Sequence, residues 1–333
     1  MKCKIYTNLA NKLDSIGRHV AAIEYYDHAL ELIPRLIMAS GNKSHCLYSY
    51  GAKLYDEHHA DIFCRFSHKE LINATTSGAV WDSGIDEKAK TLFKQRLDYM
   101  ESMFNNEPDQ YNYNDWPLGE TSEEVKYRTW SMENKLFLNP LNDIMVLPIV
   151  TTDVLHLPNH NYHISETTAR FSNYFNTIKQ EYITSRYMLF KSIHEPNRHF
   201  IDDEVLLLNG FDGVYFGYKE ELLKTSYRLT YSIFDKISYF INDYMCVGLN
   251  ERDVSFNKIW GKYDKNEKRF VLREPFASSD NDILRGLYFL SKELFDTMFV
   301  NFSDPDAKEL DTIRHMIEHK SLQLKGMGTN LLG

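Results

Sequence analysis

Residues 6–34 space small and large side chains in a way that few local folds satisfy. Leu9, Ala10, Leu13, Gly17, Ala22, Tyr26, Ala29 and Pro34 fit two short antiparallel helices packed closely, with Gly17 at the turn and Pro34 ending the pair. A single helix pair cannot bury both of its faces, so the pattern demands neighbours. Residues 34–55 and 61–74 carry helical apolar spacing, and 87–104 repeats it with Ala89, Leu92, Phe93, Leu97, Met100 and Phe104. Residues 1–104 therefore read as a short helical array. Across the whole chain, 22 Tyr and 20 Phe stand against only 15 Gly and 9 Pro. That balance favours long elements with few tight turns, so the expected class is mainly α rather than a sandwich or barrel.

A chain of 333 residues suggests about two domains, and 43% hydrophobic content suffices for sizeable cores. The formal net charge of -9 provides no global field towards phosphate backbones, so any nucleic-acid site must be local. Cys3, Cys46, Cys64 and Cys246 are scattered and form neither a disulfide framework nor a zinc ribbon. They read as reduced thiols of a cytoplasmic protein. Met1-Lys2-Cys3-Lys4 runs straight into an amphipathic helix, and no window approaches the length of an apolar membrane span. Neither export nor membrane insertion is expected.

Residues 105–150 change character. Asn, Asp, Pro and Gly crowd the stretch to Glu120, which reads as a connector. Trp130, Leu136, Phe137 and Leu138 are expected to clamp it onto the domain that follows, and Asn139 and Asn142 to cap turns rather than act in a site. Residues 151–333 then give four helical patterns. Residues 165–194 place Phe171, Tyr174, Ile178, Tyr182, Leu189 and Ile193 on an apolar face, and 219–245 place Leu222, Leu229, Ile233, Ile237, Phe240 and Tyr244 likewise. A hairpin or irregular insertion is expected around 258–274. A third helix opens at Ser279 or Asp280 with Ile283, Leu287, Leu290, Leu294 and Met298 inward. The fourth follows Asp304-Pro305, an N-cap with proline in the first turn, and continues through Leu310, Ile313 and Ile317. Four such helices make a bundle.

The last of them carries Arg314-His315-Met316-Ile317-Glu318-His319. An imidazole can take the proton from a ribose 2'-hydroxyl and protonate the leaving 5'-oxygen, while a guanidinium stabilises charge on the phosphoryl oxygens. As a bare spacing the motif is unspecific, and its surroundings carry the argument. A final bundle helix bearing Arg-x4-His with a polar residue after the arginine resembles the HEPN superfamily (higher eukaryotes and prokaryotes nucleotide-binding). Residues 134–141 and 284–292 resemble the subgroup in which helical repeats precede the bundle. The 6–34 pattern resembles a tetratricopeptide repeat, with Ala10 in place of the usual glycine.

The resemblance implies a metal-independent endoribonuclease without a cofactor, often a toxin or antiviral effector, and a homodimer whose two motifs form one cleft. It assigns His319 as general base or acid, Arg314 as the phosphate-binding group and His315 as its assistant. The products would be a 2',3'-cyclic phosphate and a 5'-hydroxyl. Residues five apart on an ideal helix diverge by about 140°, so Arg314 and His319 of one copy do not share a face. Either the helix is distorted, or Arg314 of one subunit works with His319 of another. Glu181 and Arg186 are candidate accessory residues, with a buried ion pair as the alternative. Lys308, Lys320 and Lys325 are candidate RNA-binding cations.

His58, His59, Asp61, Cys64 and His68, and separately His156, His160 and His163, have metal-ligand chemistry without a supporting motif, and no metal is expected at either. No glycine-rich phosphate loop, nucleophile elbow or H-E-x-x-H run is present. The competing function is a non-catalytic binding or scaffold protein. In that reading the repeats hold a peptide or protein partner, Arg314 merely pairs with Glu318, and the histidines are surface residues.

Overall fold

The structure, a computed structural model, describes residues 1–76, 78–80, 87–104, 111–158, 166–196, 198–208, 213–264, 266, 268–295, 305–320 and 322–325, with backbone alone at 166–168, 305–308, 311 and 325. The chain is mainly helical. Its elements begin with α1 (Lys2–Ser15), α2 (His19–Leu32), α3 (Ile37–Gly51), α4 (Glu57–Thr75), α5 (Glu87–Phe104) and α6 (Ser122–Glu133). After two 3-10 turns come α7 (Glu166–His194), α8 (Phe200–Asp203), β1 (Val214–Tyr215), α9 (Tyr218–Tyr244), β2 (Gly261–Asp264), β3 (Arg269–Leu272) and α10 (Glu274–Ala277). The chain then forms α11 (Asp282–Phe295), α12 (Pro305–His319) and β4 (Leu324–Lys325). One compact unit comprises Met1–Pro158 with Asn281–Leu287, the other Asn159–Asp280 with Tyr288–Gly333.

The first unit is an up-and-down array. Asn11 accepts from the Tyr26 hydroxyl at 2.7 Å and Asp14 meets His19 at 2.8 Å, so α1 and α2 run antiparallel around the Gly17 turn. Small residues make their contact close: Ala10, Ala22 and Ala29 are fully buried. Between α3 and α4, Lys43 reaches Glu70 at 2.8 Å, and Tyr50 packs on Phe63 with centroids 4.7 Å apart. That pair is antiparallel too. Phe93 and Met100 of α5 close a second small core with Ile37, Leu71 and Ala74. Residues 105–110 of the connector lie outside the described residues.

The described part of the connector is built into this same unit. Met132, Phe137, Leu141, Met145 and Val150 enter the core formed by α1 to α4, so Phe137 serves the preceding array rather than a following domain. Two buried asparagines hold the segment. Asn142 accepts from the Phe137 backbone and donates to the Met132 and Met145 carbonyls. Asn139 accepts from the Leu141 backbone and donates to the Val150 and Thr152 carbonyls. They are turn-capping residues, as their spacing suggests.

Tyr50 donates to Asp143 at 2.7 Å, and burial pushes that carboxyl up to about 6 despite this bond and the nearby Lys135. A carboxyl raised in the native state favours folding most below its unfolded value and loses that advantage as pH rises through the native one. At about 1.4 kcal/mol per tenfold change in proton affinity, holding Asp143 ionised at neutral pH costs about 3 kcal/mol. Asp143→Asn should therefore unfold at higher urea than wild type at pH 7. The gap should close near pH 4, where a persisting gap would contradict the assignment.

The opening of α11 belongs to this unit through a backbone approach. A Cβ on Gly286 would lie 2.8 Å from the Gly17 carbonyl oxygen, and one on Gly17 would lie 1.7 Å from the Asp282 carbonyl oxygen. Beside this contact, Lys53 meets Asp282 at 3.0 Å and His19 Nε2 at 3.3 Å.

In the second unit α7 and α9 run antiparallel, pairing Arg170 with Asp243 and Glu181 with Lys236, both at 2.8 Å, while Ser226 donates to the Ser185 carbonyl at 2.7 Å. The buried stripe differs from the apolar one read from periodicity. It includes Ser185, Arg186, Phe190 and Ser192 on α7 and Ser226, Tyr231, Ser238 and Ile241 on α9, while Ile193 is exposed. Small hydroxyl residues let the two backbones approach, and that advantage outweighs side-chain hydrophobicity here. Phe171 still meets Phe240 and Tyr244, with centroids 5.6 and 5.5 Å away.

The segment before the hairpin is more than an excursion. Phe256, Ile259 and Trp260 are fully buried, and the Phe256 carbonyl accepts from Trp260 Nε1 and from Ser291. The expected hairpin follows, β2 and β3 pairing Gly261 with Leu272. On α11, Ile283 is exposed while Leu294 is buried, and Met298 lies outside the described residues. After α12 the chain returns, so that β4 pairs antiparallel with β1, Leu324 opposite Tyr215. Among the described residues no helix is long and apolar enough to cross a membrane.

Candidate functional site

Helix α12 is seated by its apolar residues and by polar contacts from α9. Ile317 is buried, while Leu310 is partly exposed. The Tyr227 hydroxyl donates to the Leu310 carbonyl, and Arg228 donates to the Ile317 carbonyl at 3.1 Å. The second bond satisfies one of the terminal carbonyls that a helix leaves unpaired. The helix continues in α form to His319, with Lys320 N–H donating to the Met316 carbonyl at 3.1 Å. Asp304, its expected cap, lies outside the described residues.

At this end the motif is assembled. The Arg314 guanidinium lies 5.2 Å from the centre of the Tyr231 ring, and Tyr231 itself is buried. Such a stack fixes a planar cation without consuming its hydrogen-bond donors. Arg314 Nε is 3.3 Å from Glu318, and the same carboxylate oxygen is 3.7 Å from His319 Nε2. His315 and His319 follow each other by one turn, their ring centres 5.2 Å apart. Both imidazoles are exposed.

The structure thus brings Arg314, His315 and His319 together, joined by Glu318 and floored by Tyr231. Among the described residues, the ion-pair and ring contacts of Arg314 and His319 are with Glu318, Tyr231 and His315, and they include neither Glu181 nor Arg186. Glu181 pairs with Lys236, and Arg186 is buried with its guanidinium 5.9 Å from the Tyr182 ring centre. Lys320 is exposed just past the helix, whereas the side chains of Lys308 and Lys325 lie outside the described residues. Tyr231 and Arg228 escaped the sequence reading. A tyrosine and an arginine three positions apart on a long helix are recognisable as a seat only once their helical partner is known.

The histidine groups with metal-ligand chemistry, at which no metal is expected, pack as follows. His58 lies 3.5 Å from the Tyr111 hydroxyl, His68 packs on Phe104, and Asp61 pairs with Arg65 at 2.7 Å. His156 packs against Tyr55, while His160 and His163 lie outside the described residues. A different donor set does converge in the first unit: ligand atoms of Asp14, His19 and Cys46 lie within 4.8 Å of one another. Hydrogen bonds account for it. His19 Nδ1 lies 2.8 Å from Asp14, while its Nε2 lies 3.3 Å from both Asp282 and Lys53, so both ring nitrogens are engaged by neighbouring side chains. Burial pushes the Asp14 carboxyl up, but hydrogen bonds from His19 and Cys46 more than offset this and hold it below its ordinary value. Burial, reinforced by Asp14, pushes the Cys46 thiol up, so it remains protonated.

Fold and cluster together define a helical-bundle protein that carries an arginine–histidine site on its final helix. The family model described as LA2681-like HEPN matches residues 162–330, just over half of the chain, and the chain belongs to that family. No curated protein and no solved structure matches it.

Proposed function

We propose that this chain is a metal-independent endoribonuclease. The observation carrying this reading is the juxtaposition of Arg314, His315 and His319 at one exposed helix end, with Arg314 seated on Tyr231. A histidine removes the 2'-hydroxyl proton and the 2'-oxygen attacks phosphorus. The bond to the 5'-oxygen breaks as that oxygen takes a proton from the conjugate acid, leaving a 2',3'-cyclic phosphate and a 5'-hydroxyl. Arg314 binds the phosphoryl oxygens, with the accumulating charge met by its fork of N–H donors. Glu318 occupies the position facing both groups, and a phosphate displaces it at small cost because an exposed ion pair contributes at most about 1 kcal/mol.

The undistorted helix supports pairing between subunits, Arg314 of one with His319 of another in a homodimer. Lys308, Lys320 and Lys325 extend the RNA contact, and Glu181 and Arg186 act indirectly through the packing of α7 and α9. The antiparallel pairs of the first unit support a tetratricopeptide-like array that receives a protein or peptide partner and controls the nuclease, as in a toxin or defence effector. The Arg314–Glu318 ion pair equally supports a non-catalytic, RNA-binding or scaffold reading, in which it simply stabilises α12.

Mixing two inactive single variants separates these. Arg314→Ala and His319→Ala chains allowed to exchange subunits should regain about a quarter of wild-type cleavage, because half the dimers are mixed and each has one intact composite site. No recovery from two stable, exchanging dimers would rule out the shared site.

A further inference from the structure

The first unit contains a cavity of about 180 Å³ between α3, α4 and α5, lined by Ser44, His45, Tyr48, Ser67, Arg96 and Tyr99 over a floor of Leu71 and Met100. Most of its polar groups are already matched. Ser67 donates to the Ser44 carbonyl at 2.7 Å while the two hydroxyls meet at 2.8 Å, and the Tyr48 and Tyr99 phenols bond to each other. His45 and Arg96 are the exceptions. Arg96 is half-buried, and among the described residues it forms no hydrogen bond or ion pair.

This is unlike the array's other inward cations. Lys43 is held between Asp27 at 2.6 Å and Glu70 at 2.8 Å, and Arg65 pairs with Asp61. A guanidinium cannot shed its charge, and among the described residues no acidic side chain offsets the partial desolvation of Arg96. His45 lines the same cavity, and burial first, then the Arg96 charge, pulls it below its ordinary value.

We propose that this cavity binds a small organic anion, a molecule bearing a carboxylate or phosphate that Arg96 grips through its paired N–H donors. Two parallel bonds from a guanidinium to such a group combine charge with orientation. The volume is below the roughly 300 Å³ at which pockets for drug-sized ligands begin, so the ligand is smaller than a nucleotide. The site is independent of the nuclease reading.

The full chain carrying Arg314→Ala, which silences the other candidate phosphate site, is the starting protein. Its Tm is followed with sodium phosphate or sodium succinate against sodium chloride of equal ionic strength, with and without Arg96→Met. A saturable rise with at least one of the two anions is expected, absent when Arg96 is replaced. Phosphate alone would assign a phosphoryl ligand and succinate alone a carboxylate. In the absence of either anion, Arg96→Met should raise Tm or leave it unchanged, since it removes an unpaired, partly desolvated charge. A rise that persists in Arg96→Met, no rise with either anion, or a Tm lowered by several degrees through Arg96→Met alone would each overturn the proposal.

Discussion

Replacing Arg314 or His319 with alanine is expected to slow RNA cleavage by about 10²-fold or more in each case, the usual cost of losing a positioned acid–base group or a transition-state charge stabiliser. The fold should be unaffected. Arg314 forms one partly exposed ion pair and one contact with the Tyr231 ring, while His319 is exposed in the last turn of α12. Each such contact contributes about 1 kcal/mol or less. Circular dichroism and Tm should therefore match wild type while cleavage falls. The double variant should be little worse than either single one, because groups acting on one transition state are not additive. His315→Ala should show a smaller loss. A chain that loses neither rate nor stability on these changes would make the cluster an ordinary surface.

The largest stability effect is expected at Gly17→Ala, about 3 kcal/mol or more. Gly17 has φ 85°, a conformation costing an L-residue about 1 kcal/mol, and its Cβ would collide with the Asp282 backbone at 1.7 Å. Backbone cannot rotate away as a flexible side chain can, so the collision must displace the start of α11 or the α1–α2 turn. Gly248 is the control. It has a comparable φ of 77°, and its Cβ would meet nothing within 4 Å. Gly248→Ala should cost only about 1 kcal/mol in urea unfolding. Equal losses at both positions would show that backbone conformation, not the close approach to Asp282, governs Gly17.

These two glycines show what a sequence can and cannot reveal. The Gly17 turn and the alternation of Ala10, Ala22, Ala29 and Tyr26 are local, and they place α1 and α2 correctly because an antiparallel pair depends on few distant partners. The second reason for glycine at 17, the approach of Asp282 and Gly286 from far along the chain, leaves no local trace. The long helices behave similarly. Periodicity located α7 and α9 almost to the residue but chose a greasier face than the one buried, because serines at 185, 226 and 238 matter through backbone proximity and not hydrophobicity. At the candidate site, Arg314, His315 and His319 are contiguous and thus legible as a motif. Tyr231 and Arg228, which seat them, become visible only after α9 and α12 pack. Arg96 was hidden in a different way: an unpaired cation is defined by acids that are not near it, and sequence alone does not list neighbours.

The most direct test of the nuclease account is to incubate the purified full chain with mixed tRNA and mRNA in EDTA and determine the chemistry of the ends by mass spectrometry. The account predicts fragments with 2',3'-cyclic phosphates and 5'-hydroxyls, formed by wild type and lost with Arg314→Ala and His319→Ala. Intact RNA, or cleavage that requires magnesium and leaves 5'-phosphates, would contradict it.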